Sequence, residues 1–437
     1  MSAFDDLPTI AALSSAAGRA GVAVVRLSGS RVRFAIETIA GTLPSPRRAS
    51  LRTLRDPAGE AIDQALVLYF PAPASFTGED IAELHIHGAR AVLARLLQVL
   101  CDIPGIRLAE PGEFTRRAFE AGKLDLSEVE GLVDLIDSET EWQRRQALRQ
   151  MDGALGIAAT NWRRSLIEAM ALLEAEIDFS DEADVTGPLT ERALATVGDV
   201  LVQLREALGA FARGERIREG FVVVLAGPPN AGKSSLLNAL ARRDIAIVSP
   251  IAGTTRDAIE VRLDLAGLPV TLIDTAGLRD STDPIETEGV RRARALAERA
   301  DLVLSLRAID SEPDRLHGAD GVIALATKID LAGAAHPGEV PVSARTGEGL
   351  AELLSLIIER LAGQGAGEPA LLTRERHRVA VTQAIRALER AVSGLHDQVE
   401  LLAEDLRLAV RALERLLGRV DIEDVLDQLF AGFCIGK

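Results

Sequence analysis

The sequence predicts a multidomain chain. It has an α+β domain at the N-terminus, an all-α helical domain supplied by two separate segments, and an α/β domain with a phosphate-binding loop inserted between those segments. Three observations predict this. Residues 1–120 mix short apolar runs with turn residues, helical periodicity flanks residues 221–360 on both sides, and inside that span unbroken apolar runs alternate with helical patterns. A length of 437 residues allows two to four domains, each able to bury a core.

Hydrophobic residues make up 47% of the chain and the formal net charge is −16. This is the balance of a folded protein, and it excludes a whole-surface electrostatic grip on a polyanion. At 3% aromatic residues, an extended base-stacking platform is excluded too. Cys101 and Cys434 stand far apart and suit a reducing compartment rather than a disulfide framework. The opening MSAFDDLPTI has no basic-then-apolar leader, and no apolar run reaches bilayer length, so a soluble cytoplasmic protein with no membrane association is expected.

In the first domain, residues 1–120, the runs Ala23 to Leu27 and Ala65 to Phe70 read as strands and Ala91 to Leu100 as a helix. From Leu124 the period lengthens. Leu194, Val197, Leu201, Leu204, Leu208 and Phe211 recur at steps of three and four, the stripe of a long helix that stops near Arg213-Gly214. This is the first helical segment, residues 121–215. The α/β domain, residues 216–366, is read from apolar runs at Phe221 to Ala226, Val270 to Ile273, Leu302 to Leu306, Val322 to Ala326 and Val340 to Val342, as for parallel strands covered on both faces. Gly363-Gln364-Gly365-Ala366-Gly367 reads as an exit linker. The helical period then returns over 367–437 at Val381, Ile385, Leu388, Val392, Leu395, Val399 and Leu402. An amphipathic stripe needs a partner, and the simplest one is the helical set before the insertion.

Chemistry is concentrated in the insertion. Gly227 to Ser234 matches G-x-x-x-x-G-K-S between a strand and a helix. Around Asn230, Ala231, Gly232, Lys233, Ser234 and Ser235, main-chain amides and a helix N-terminus can cradle phosphate. Lys233 places a charge on the β and γ phosphates, and the Ser234 hydroxyl can ligate Mg²⁺. Gly253 to Asp257 follows as a switch candidate in which a threonine can close on Mg²⁺ and the γ-phosphate. In Asp274-Thr275-Ala276-Gly277, Asp274 can hold Mg²⁺ through water and the Gly277 amide can sense the γ-phosphate. Thr327-Lys328-Ile329-Asp330 resembles the guanine-reading N-K-x-D motif. Its carboxylate suits the two donors on the guanine edge, which adenine lacks, and the Lys328 stem can lie over the base. Ser343-Ala344 would offer backbone N–H groups to guanine O6. Thr327 replaces the usual Asn, so a loop-tying amide is missing and looser binding is expected. Together these motifs point to a GTP-hydrolysing switch.

Segments outside the shared motifs carry a more specific resemblance. Val25-Arg26-Leu27-Ser28-Gly29, Ser75 to Asp80 (SFTGED), Pro111 to Phe119 (PGEFTRRAF), Gly122 to Leu126 (GKLDL) and the terminal Phe433-Cys434-Ile435-Gly436-Lys437 resemble the MnmE (TrmE) tRNA-modification GTPases, and the resemblance spans nearly the whole chain. It implies a folate-binding-like N-terminal domain that mediates homodimerisation. That domain would hold 5-formyltetrahydrofolate or a related tetrahydrofolate through Arg26, Glu83, Lys123 and Lys437. It implies a heterotetramer with the FAD-dependent MnmG-like protein. The complex would place an aminomethyl or carboxymethylaminomethyl group on C5 of the wobble uridine of certain tRNAs. Leu278 stands where many GTPases carry a catalytic glutamine. The motifs assign Mg²⁺ to Ser234 and Thr255 and a catalytic charge to Lys233, and the resemblance adds Glu286 as catalytic and K⁺ at Asn230, Ser249, Ile251 and Thr254. Glu288 is an alternative carboxylate, and Arg256 and Arg279 are rival charge donors. Cys434 is given a role in modification. The competing functions are a ribosome-assembly switch without covalent RNA chemistry and a folate-binding scaffold with a vestigial GTPase.

Overall fold

The computed structural model describes residues 7–178, 189–243, 245–247, 259–274, 300–311, 321–331, 334–365, 367–393, 399–418, 426, 429–430, 433 and 436. Two compact units account for the chain: Met1–Val133 with Glu414–Lys437, and Asp134–Leu413.

In the first unit the elements run β1 (Thr9–Leu13), β2 (Ala20–Ser28), α1 (Val32–Ala40), β3 (Ser50–Arg55), β4 (Ala61–Phe70), β5 (Ile81–Gly88), α2 (Arg90–Cys101), β6 (Ile106–Leu108) and α3 (Glu113–Glu120), followed by α4 (Leu126–Ile136). The six strands form one sheet in the order β3-β4-β5-β2-β1-β6. Alternation decides its faces. Val25, Leu27, Val67, Tyr69, Leu84 and Ile86 point to one side and pack with Ile36 and Ile39 of α1 and Leu96 and Leu100 of α2. Arg26, Glu83 and His85 therefore fall on the opposite face. Leu51 and Leu66 share it, paired across the ladder, and both are exposed.

Three of the distinctive segments meet in a buried polar network. The Ser28 hydroxyl donates to Glu79 at 2.6 Å, and Arg117 Nη1 donates to both Glu79 oxygens at 3.1 Å. Arg117 Nη2 reaches Glu113 at 2.8 Å and the Pro8 carbonyl at 2.9 Å. Buried charge persists only when paired and hydrogen-bonded in this way. Two residues of the terminal pentapeptide, Phe433 and Gly436, are held on the same unit. Phe433 joins Phe430, Val129 and Phe119 in an apolar cluster, and the Ser14 hydroxyl donates to the Gly436 carbonyl at 2.9 Å. A Cβ on Gly436 would lie 2.0 Å from the Leu13 carbonyl oxygen, so this position requires glycine.

The second unit begins with α5 (Glu141–Met151), whose start is fixed by a capping box of Thr140 and Gln143. α6 (Ala154–Asp178), α7 (Leu189–Gly209) and α8 (Phe211–Glu219) follow. The predicted long helix is thus two helices, and it does not stop at Gly214. That residue lies inside α8, where an added Cβ would be 2.4 Å from the Leu372 carbonyl oxygen. Glycine is there for a close crossing of chain segments rather than as a terminator.

The inserted domain contains β7 (Phe221–Ala226), α9 (Lys233–Ala241), β8 (Ile259–Leu265), β9 (Leu268–Asp274), β10 (Leu302–Ala308), β11 (Val322–Thr327), β12 (Val340–Val342) and α10 (Leu350–Gly365). Strand order is β12-β11-β10-β7-β9-β8, parallel except for β8 at one edge. The expected exit linker is corrected in part, because α10 continues to Gly365. Its stripe of Leu350, Leu353, Ile357 and Leu361 is buried in the domain core, which offsets the roughly 1 kcal/mol cost of a helical glycine. Beyond the insertion come α11 (Glu375–Val392) and α12 (Val399–Leu416). α7 packs against both α6 and α11, so helices before and after the insertion form one helical body.

Candidate functional site

The phosphate loop is built by two glycines and one strained turn. A Cβ on Gly227 would lie 2.3 Å from the Leu306 carbonyl oxygen, so the loop leaves β7 tight against β10. Asn230 and Gly232 both adopt left-handed backbone, with φ of 64° and 89°. Gly232 is the N-cap of α9, which turns the helix start and its unsatisfied amides toward the loop. Lys233 is nearly buried, and its ammonium donates to the carbonyls of Gly227 at 2.9 Å and Pro228 at 3.0 Å. The next residue, Ser234, donates its hydroxyl to Asp274 Oδ2 at 2.5 Å. Asp274 ends β9 and is fully buried. Two hard oxygen ligands from separate segments thus stand side by side, a donor set that fits Mg²⁺.

The candidate base pocket is a cavity of about 190 Å³ lined by Gly232, Ser235, Thr327, Lys328, Asp330 and Ala344 among others. Lys328 holds left-handed backbone, φ 60°. Asp330 accepts from the Ser343 hydroxyl on Oδ1 and from Arg345 Nε on Oδ2, each at 2.7 Å. The Ser343 hydrogen bond, with Arg345 adding to it, holds the Asp330 carboxyl below its usual range despite partial desolvation.

The structure adds a tie at Thr327 and corrects one expectation, at Ser343. Thr327 does tie loops together. Its hydroxyl lies 2.6 Å from the Ala231 carbonyl oxygen of the phosphate loop and 3.1 Å from that of Arg307. One hydroxyl proton serves both acceptors, where an amide would bring two. Ser343 does not offer its backbone N–H to a base, because that group donates to the Glu348 carbonyl at 2.9 Å. Ser343 acts instead through its side chain on Asp330.

On the N-terminal sheet, the β2–β5 ladder sets Arg26 directly opposite Glu83, and the two form an ion pair at 2.8 Å. The Arg26 guanidinium stands over the rings of Phe76 and Phe114 at 5.9 and 5.8 Å. His85 faces Glu83 at 3.4 Å and His87 faces Asp63 at 2.8 Å, so each histidine has its own carboxylate. Lys123 donates to the Pro73 carbonyl at 2.8 Å and lines a cleft of about 550 Å³ together with Arg33, Thr77, Glu79 and Asp80. Arg26 and Glu83 do not line that cleft.

Ser249, Ile251, Thr254, Thr255, Thr275, Ala276, Gly277, Glu286, Cys434 and Lys437 lie outside the described residues, as do Arg256, Arg279 and Glu288. Sequence reasoning missed Arg307 and Glu339, a buried ion pair beside Thr327. Nothing local marks two charges 32 residues apart as partners, although Arg307 in a strand pattern is the kind of interruption that signals one.

Comparison with known proteins identifies the family. Residues 9–123 match the family described as GTP-binding protein TrmE N-terminus, and residues 126–434 match the MnmE helical domain. A tRNA modification GTPase MnmE of Bradyrhizobium sp. (strain ORS 278) is 53% identical over 98% of this chain and 99% of its own length. One of Methylobacterium sp. (strain 4-46) is 55% identical over 98% of this chain and 99% of its own. Among solved structures, the G domain of the T. maritima FeoB iron transporter aligns with 32% of this chain and 98% of its own at 30% identity, with a TM-score of 0.25. On full-length identity and two matched domains, the chain belongs to the MnmE family of tRNA modification GTPases.

Proposed function

We propose that the chain is a K⁺-stimulated GTP hydrolase. With an FAD-dependent MnmG-like partner, it adds an aminomethyl or carboxymethylaminomethyl group at C5 of the wobble uridine of certain tRNAs, using a tetrahydrofolate one-carbon unit. The observation that carries the reading is the convergence of Lys233, Ser234 and Asp274 at one end of the inserted sheet with a carboxylate, Asp330, held ready for a base. Loop amides and the α9 N-terminus bind the phosphates, Lys233 offsets charge at the β–γ bridge, and Asp330 accepts from the guanine edge. Ser234 and Thr255 would hold Mg²⁺, which supplies charge neutralisation on the phosphate oxygens. Asn230, Ser249, Ile251 and Thr254 would hold K⁺, which supplies positive charge where other GTPases use an arginine. Glu286 would orient the attacking water.

Tetrahydrofolate, as 5-formyltetrahydrofolate or a related derivative, is assigned to the N-terminal domain. Its glutamate tail needs cations, and Lys123 on the large cleft and Arg26 on the sheet face are the ones proposed. Lys437 and Glu83 complete the proposed contacts, and Cys434 is assigned a role in modification. Homodimerisation is supported by the sheet face with exposed Leu51 and Leu66. Domain bounds of 1–120, 121–215, 216–366 and 367–437 and a cytoplasmic location belong to the same reading. Among the described residues no helix is long and apolar enough to cross a membrane.

Nucleoside analysis of tRNA from cells lacking this chain tests it. Wobble uridines are expected to lose the C5 group and regain it when the chain is restored. Unchanged uridines would overturn the modification role in favour of a ribosome-assembly switch. Turnover of the purified protein is expected to be higher in K⁺ than in Na⁺, and equal rates would shift the charge role to Arg256 or Arg279.

A further inference from the structure

Arg307 and Glu339 are among the most deeply buried charges in the described inserted domain, with side chains 3% and 2% exposed. Neither lines the candidate base cavity. Arg307 Nε and Nη2 grip the two Glu339 oxygens at 2.8 and 2.6 Å. Nη1 donates to the carbonyls of Ala308, Ile309 and Ser311 at 3.1, 3.2 and 2.7 Å. Glu339 also accepts from the His336 amide at 2.8 Å. A buried ion pair gains little stability over an apolar pair of the same volume. An apolar pair could not hold three carbonyls, and those carbonyls belong to the turn that follows β10.

The connections from the pair run in two directions. On one side, the Arg307 carbonyl accepts from the Thr327 hydroxyl, and the Ile309 amide donates to the Thr327 carbonyl at 3.0 Å. Thr327 is thereby held at both ends, and its hydroxyl reaches the phosphate loop at Ala231. On the other side, Glu339 immediately precedes β12, which delivers Ser343 to Asp330. The pair joins the end of β10 to the start of β12 across β11. Ala326 is the ladder partner of Arg307 and is fully buried, and its small side chain leaves room for the crossing.

We propose that the Arg307–Glu339 pair is a positioning device for guanine-nucleotide binding, setting Thr327 and Ser343 and, through them, the phosphate loop and Asp330. This rests on the nucleotide-site reading above.

The test uses the full chain and GDP affinity, GTP turnover and thermal unfolding together. Arg307→Lys keeps the charge but loses the fork, and Glu339→Gln is the milder second variant. Both are assayed below their unfolding transitions. Each is expected to weaken GDP binding about ten-fold, the size of one lost charge-assisted hydrogen bond, with kcat at saturating GTP near that of the parent. Thr327→Val, which keeps shape and removes the hydroxyl, is expected to weaken binding by a similar factor, with Thr327→Ser restoring it. Combined with Arg307→Lys, it should lose less than the product of the two separate losses. Lower melting temperatures with unchanged GDP affinity, or strictly multiplicative losses, would overturn the proposal. If the parent chain itself does not prefer GDP to ADP, the nucleotide-site reading fails instead, whatever the variants do.

Discussion

Lys233→Met is expected to lower GTP turnover by about 10²–10³-fold while leaving the chain folded. Methionine matches the length of the lysine stem, so the apolar part of a nearly buried side chain is kept and only the ammonium is removed. In the structure that ammonium donates to the carbonyls of Gly227 and Pro228, inside the curve of the phosphate loop. A triphosphate brings stronger acceptors than two neutral carbonyls, so the ammonium has a better partner to turn to when phosphate arrives. Charge grows on the bridging oxygen as the β–γ bond breaks, and a fixed cation there acts most strongly in the transition state. The loss is therefore expected mainly in kcat, with a smaller loss of GDP affinity. Stopped-flow or phosphate-release kinetics separate the two. A variant that keeps parental kcat would remove Lys233 from the catalytic set.

The second large effect is expected at Asp330. Guanine presents two donors, N1–H and N2–H₂, and Asp330→Asn turns one of its two acceptors into a donor. Donor would then face donor, and GTP affinity should fall about a hundred-fold or more. Xanthine carries an oxygen where guanine carries the amino group, so the same variant should gain affinity for xanthosine triphosphate. The reciprocal change is the informative part, since a misfolded pocket would lose both ligands. Asp330 also carries a pH expectation. Its folded-state pKa is lowered, chiefly by the Ser343 hydroxyl, so the ionised form persists below the ordinary carboxylate value and is lost only as pH falls through that lowered value. Guanine preference of the parent chain should therefore stay constant from pH 8 down to about pH 5.

What could be read from the sequence, and what could not, follows from the range of the forces involved. Central strands buried on both faces announce themselves as unbroken apolar runs, and β7, β9, β10 and β11 were legible for that reason. The edge strand β8, Ile-Glu-Val-Arg-Leu-Asp-Leu, alternates instead, because an edge strand need bury only one face. It was missed by a search for continuous runs. The phosphate loop is legible because its chemistry is local, with Lys233 and Ser234 set by eight consecutive residues.

The ties that hold the base pocket are not local. Thr327 looked like a lost amide in the linear motif, and only the folded chain brings its hydroxyl to Ala231, 96 residues away. Gly214 looked like a helix stop because the segment that crosses it, Ala370 to Leu372, is distant in sequence. The distinctive N-terminal segments were recognisable as a set, but not the reason they occur together. Ser28 and Arg117 both close on Glu79, which makes one buried network of the three.

Guanine selection by the Asp330 carboxylate beside the phosphate loop is the central expectation for this chain. Titration calorimetry of the purified full chain with the diphosphates of guanosine and adenosine, in Mg²⁺ and K⁺, tests it most directly. GDP is expected to bind at least about a hundred-fold more tightly than ADP. Equal affinity for the two, or binding of neither, would contradict it.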